Sequence, residues 1–89
     1  MYPFLTLDDE TEITHSDFLP SNRVKVYIEK PDINDCFHHM TCYLPDYTID
    51  KVFGFDESEI HIYMEIIRST APFILELSKD EGSDSAENL

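Results

Sequence analysis

Apolar and polar residues alternate most cleanly over residues 23–30, where Val24, Val26 and Ile28 share one side and Lys25 and Glu29 the other. A period of two predicts a half-buried strand. Residues 36–44 (Cys-Phe-His-His-Met-Thr-Cys-Tyr-Leu) predict a second, stopped by Pro45. The connection between the two is short and polar, so antiparallel pairing is expected. Upstream, residues 2–7 predict a short strand that ends at the acidic turn Asp8-Asp9-Glu10, and residues 11–15 its hairpin partner. Asp17 to Asn22 reads as a loop, and residues 46–55 as an irregular or short extended link.

At Asp56 the period changes. Asp56 and Glu59 stand three apart in a capping-box arrangement, and Glu57 adds negative charge to the first turn. Ile60, Tyr63, Met64, Ile67, Ala71 and Ile74 then recur on one helical stripe. Ile62, Ile66, Phe73 and Leu77 make a second stripe beside it. Together they are wider than the ~100° a helix needs to cover a sheet. Pro72 removes a backbone hydrogen bond at a cost of ~3 kcal/mol in an ordinary helix, so the helix either bends there or splits in two. The expected fold is α+β: a small antiparallel sheet of about four strands, with one long, Pro72-bent helix (or two short ones) from Asp56 to about Ser78 packed on one face. Residues 1–79 form one domain, and residues 80–89 an acidic, flexible tail.

Charge changes the picture more than composition does. Nineteen Asp and Glu face six Lys and Arg, a formal net charge of −13. Residues 1–22 carry Asp8, Asp9, Glu10, Glu12 and Asp17 and no cation. Binding to nucleic acid or an anionic membrane needs a basic surface, so neither is an expected partner. A basic protein is, and charge steers such encounters. Acidity for solubility alone is the competing explanation. No apolar run reaches the ~18 residues of a membrane span. Two cysteines without a leader segment point to free thiols in a reducing cytoplasm.

Candidate chemistry is sparse. Cys36, His38, His39 and Cys42 could suggest zinc, but on an extended strand the two cysteines lie roughly 20 Å apart. A zinc ion needs thiolates at about 2.3 Å. Strand geometry instead turns Met40, Cys42 and Leu44 to the core, leaves His38 at its margin and points His39 away. Glu57, His61 and Glu65 stack at four-residue spacing with Arg68 behind them, first of all a solvated helix face. No HExxH, GxxxxGK, GxGxxG or GxSxG motif occurs. No cofactor, metal or catalytic residue is therefore expected.

The layout of Val24–Lys30, Cys36–Leu44 and a following helix on an acidic chain resembles the HicB-type antitoxins. It lacks their glycine- and proline-rich turn between strands. That likeness implies an acidic partner of a basic toxin. The leading expectation is a non-enzymatic protein that engages a basic protein, as antitoxins and phage-encoded inhibitors of nucleic-acid enzymes do. Asp8, Asp9, Glu10, Glu12, Glu57 and Glu65 would stand in for phosphates. One alternative is an assembly module that dimerises through Ile62, Ile66, Phe73 and Leu77. Another is a metal-dependent enzyme or sensor built on His38, His39, Glu57, His61 and Glu65.

Overall fold

The computed structural model of the chain describes residues 1–32, 34 and 36–87, and the side chains of all of these except residue 36 and residues 80–87. Five strands are followed by one helix: β1 (Tyr2–Thr6), β2 (Glu12–His15), β3 (Val24–Asp32), β4 (Cys36–Leu44), β5 (Thr48–Phe53) and α1 (Glu57–Glu87). The strands form a single antiparallel sheet in sequence order, β1-β2-β3-β4-β5, as short connections favour.

The alternation in β3 and β4 sets the two faces of this sheet. Val24, Val26 and Ile28 lie opposite Leu44, Cys42 and Met40, and Ile13 and His15 of β2 continue the same face. All eight of these residues are buried beneath α1. From the helix, Tyr63, Met64, Ile67, Ala71 and Ile74 complete the core, with Ile60 packed at its edge. The first apolar stripe therefore faces the sheet throughout. Burying one such aliphatic side chain stabilises the fold by about 1.5–3 kcal/mol.

Two buried polar contacts fix the helix direction. At one end Thr11 Oγ1 lies 3.4 Å from the Tyr63 hydroxyl, and at the other His15 Nδ1 lies 3.0 Å from Ser78 Oγ. The Ser16 carbonyl, 2.9 Å from the same Nδ1, can only accept, so Nδ1 carries the proton. Ser78 Oγ then accepts from His15 and donates to the Ile74 carbonyl at 2.8 Å. The helix thus runs alongside β2 in the same sense.

Two features depart from the sequence expectation. Residues 48–53 are not an irregular link but the fifth strand, paired with β4. Their pattern, Thr-Ile-Asp-Lys-Val-Phe, hides the period of two because an extra residue enters between Asp50 and Phe53. Lys51 takes a positive φ of 51° at that bulge. Second, α1 is the single helix of the two forms expected, but its backbone passes the expected end near Ser78 to reach Glu87. Pro72 is exposed on its outer side, where water can satisfy the carbonyl that the proline leaves unbonded. The capping box is formed reciprocally. Glu59 N–H donates to Asp56 Oδ1 at 2.9 Å, and Asp56 N–H donates to Glu59 Oε1 at 3.1 Å. Of the expected tail, residues 80–87 continue the helical backbone, and residues 88–89 lie outside the described residues.

Candidate functional site

The β1–β2 turn is held by its own backbone. Leu7 N–H donates to the Thr11 carbonyl at 2.8 Å, Glu10 N–H to the Leu7 carbonyl at 2.9 Å, and Glu10 adopts a φ of 69°. Thr11 N–H donates to Asp9 Oδ1 at 3.1 Å. This turn sits over the end of β3 and the start of α1, where Lys30 Nζ lies 3.5 Å from both Asp9 Oδ2 and Glu59 Oε2. The hydrogen bond from Thr11, with help from Lys30, holds the Asp9 carboxyl below the usual range. Burial pulls Lys30 down, but Tyr63, Asp9 and Glu59 outweigh it and raise the ammonium group. Being partly exposed, each pair contributes about 0.2–1 kcal/mol.

Around this cluster opens a pocket of about 570 Å³. Leu7, Ile62 and Tyr63 supply its apolar surface, and Asp8, Asp9, Lys30 and Glu59 its charged rim. A second pocket of about 360 Å³ lies at the same hairpin and is lined by Thr6, Glu10, Glu12, Glu29, Pro31 and Phe37. Four of the six singled-out carboxylates therefore gather at one end of the molecule, Asp8 and Asp9 in the first pocket and Glu10 and Glu12 in the second. Glu57 and Glu65 do not join them. Both are exposed on α1, where Glu65 Oε1 meets Arg68 Nη1 at 3.6 Å and His61 Nε2 at 3.9 Å.

The second apolar stripe of α1 is only partly covered. Ile66 packs against the core, but Ile62 is 54% exposed, Phe73 66% and Leu77 41%. Ile62 also lines the first pocket, so the open strip begins there and runs down the helix.

The sheet face away from α1 is aromatic. Tyr27, His39 and Phe53 form a ladder across β3, β4 and β5, with ring centroids 6.0 and 5.5 Å apart and planes within 26° and 23°. Arg23 lies 4.2 Å over the Tyr43 ring and pairs with Asp46 at 3.5 Å. Burial, and then Glu29, push the Tyr27 hydroxyl above its ordinary range. This ladder and the Lys30 cluster escape the sequence pattern. The diagonal neighbourhood of Tyr27 and His39 could be read from the β3–β4 pairing, but Phe53 requires β5.

The described His and Cys side chains scatter, and that of Cys36 lies outside the described residues. Cys42 is fully buried, and burial pushes its thiol up to about 11. His38 lies at the core margin, edge-on to Phe55 at 5.8 Å and 3.6 Å from Asp32, while His39 faces the other way in the ladder. Gly54, at a φ of 88°, lets the His38 ring press on the backbone, since a Cβ there would sit 2.3 Å from its Cδ2. Among the described residues no three His, Cys, Asp or Glu side chains converge as metal ligands. No described helix is long and apolar enough to cross a membrane. The chain matches no known family model, no curated protein and no solved structure.

Proposed function

We propose that this chain is a non-enzymatic binding protein that engages a basic protein partner in the cytoplasm, with the β1–β2 hairpin as its principal contact. The observation that carries this reading is the gathering of Asp8, Asp9, Glu10 and Glu12, with Glu29 and Glu59, around two pockets where, among the described residues, Lys30 is the one lining cation. Carboxylates at that density attract Lys and Arg side chains, and the hydrogen bond from Thr11 favours the ionised form of Asp9. A partner surface built for phosphates presents such cations. Covering it would displace nucleic acid, which makes an inhibitor of a nucleic-acid-binding protein or enzyme the preferred form of this function.

The test is capture from the lysate of its own host by the full chain and by the triple variant Asp8→Lys, Asp9→Lys, Glu10→Lys. The wild type is expected to retain a basic protein in a salt-sensitive manner, to release it from nucleic acid, and to lose it in the triple variant. Equal capture by both chains would sink the hairpin's role. Capture of only acidic or neutral partners would sink the reading as a whole.

A further inference from the structure

We infer that the open strip of α1, from Ile62 through Phe73 to Leu77, seats an amphipathic helix of the partner, one apolar face inward and basic residues along its edges. This rests on the proposed basic partner and adds where that partner lies and in what conformation. Three observations support it.

The first is spacing. Ile62, Ile66, Phe73 and Leu77 follow one another at intervals of 4, 7 and 4 residues, the repeat of a seam between helices. The small side chains of Ser69 and Thr70 fill the 7-residue interval, where a second helix can approach closely. From Ile62 to Leu77 the strip is about 22 Å long at 1.5 Å per residue, which suits roughly four helical turns.

The second is the rim. Glu65 and Glu76 lie on the outer flank of the strip at about 100° per residue, while Glu59 and the pocket acids Asp8 and Asp9 stand at its N-terminal end. Lys79 projects well over 90° away around the helix, and so does the Arg68 backbone position, although its guanidinium reaches back to Glu65 at 3.6 Å and leaves Glu76, Glu59, Asp8 and Asp9 to set the sign of the rim. An apolar strip bordered by carboxylates matches a helix whose edges carry Lys or Arg. The pocket beside Ile62 suits the stem of one such side chain, with its charge at Asp8.

The third concerns the main rival, a second copy of this chain. The strip is close to self-complementary: two antiparallel copies would set Ile62 against Leu77 and Ile66 against Phe73 about a two-fold axis between Ser69 and Thr70. The same pairing brings Glu65, itself paired with Arg68, within two positions of Glu76 on the outer flank of both halves, and it joins two chains of net charge −13. The exposed strip offers on the order of 300 Å² per chain, the size of the largest patch on an ordinary monomer. A standard interface uses about 800 Å² per partner. A basic helix buries the same apolar strip and turns the rim from repulsive to attractive.

The probe is an 18-residue Leu/Lys peptide with helical amphipathic spacing, titrated into the full chain by fluorescence anisotropy at low and moderate salt. A scrambled peptide of identical composition is the control. The amphipathic peptide is expected to bind at least tenfold more tightly than the scrambled one. Phe73→Ser with Leu77→Ser should remove that advantage without changing charge; circular dichroism confirms that this variant, altered only at exposed positions, still folds. If both peptides bind equally and the double variant changes nothing, the strip is not the seat, although the basic-partner reading survives. If neither peptide binds even at low salt, both fall. A dimer by sedimentation without peptide, lost in Phe73→Ser/Leu77→Ser, would assign the strip to a second copy and overturn the inference.

Discussion

The two faces of the sheet use the same strands for different ends. Val26, Ile28, Met40 and Cys42 are sealed beneath α1, while Tyr27, His39 and Phe53, one or two residues away along the same strands or on the neighbouring edge, stand in a ladder on the other face, Tyr27 and His39 half-buried and Phe53 exposed. The covered face excludes water from aliphatic side chains, which dominates stability. On the open face, rings cover one another and little else; even so, Thr41 between them is only 4% exposed. Apolar content alone therefore does not locate a core. What locates it is the presence of a second layer, and here that layer is α1.

The sharpest test of this contrast is truncation on each side. Ile28→Ala or Ile67→Ala should cost about 2–5 kcal/mol in urea denaturation, because the fully packed site leaves a cavity. Phe53→Ala should cost under ~1.5 kcal/mol despite the larger side chain removed. Equal losses would mean that the open face is a second core. Next is the joint between β5 and α1. Gly54→Ala is expected to cost about 1–2 kcal/mol, from strain at positive φ and displacement of His38, with His38 and Phe55 resonances shifting together by NMR. Asp56→Ala should cost about 1 kcal/mol through loss of the cap, and a near-zero change would show that packing alone holds the first turn. A Tyr27→Ala, His39→Ala double-mutant cycle should return a coupling of about 0.2–1 kcal/mol, the smallest of these stability terms.

Cys42 makes stability depend on pH only in the alkaline range. Burial raises its thiol from 9.0 to about 11 in the folded chain. Between those values the unfolded chain has lost the proton while the folded chain keeps it. The contribution is thus fully present below pH 9 and declines as pH rises toward about 11. Cys42→Ser should flatten that decline in denaturation measured from pH 8 to 11. In the wild type, a disulfide reagent at pH 8 should reach Cys42 only as fast as the chain opens.

Much of this architecture was legible along the chain because it depends on neighbours a few residues apart. Alternation over residues 23–30 and 36–44 assigned the buried and open sides of β3 and β4. The stripe from Ile60 to Ile74 named the inner side of α1, and Asp56 with Glu59 marked its start. Each is a repeat or spacing whose geometry follows from two or 3.6 residues per period. Of the candidate site, the acidity of the hairpin and the excess width of the helix's apolar surface were likewise visible.

The tertiary structure decided what no local period encodes. Strand β5 was hidden by a bulge, since one extra residue at Lys51 reverses the parity on which a strand is recognised. Lys30, Asp9 and Glu59 meet only because the hairpin, β3 and the helix start converge at one end of the sheet. The same convergence separates Asp8, Asp9, Glu10 and Glu12 from Glu57 and Glu65, which sequence alone had grouped. Above all, the sequence showed two adjacent apolar stripes on α1 but not whether the hairpin would fold over the second. A five-stranded sheet of this width covers one of them, and that choice left Ile62, Phe73 and Leu77 in water.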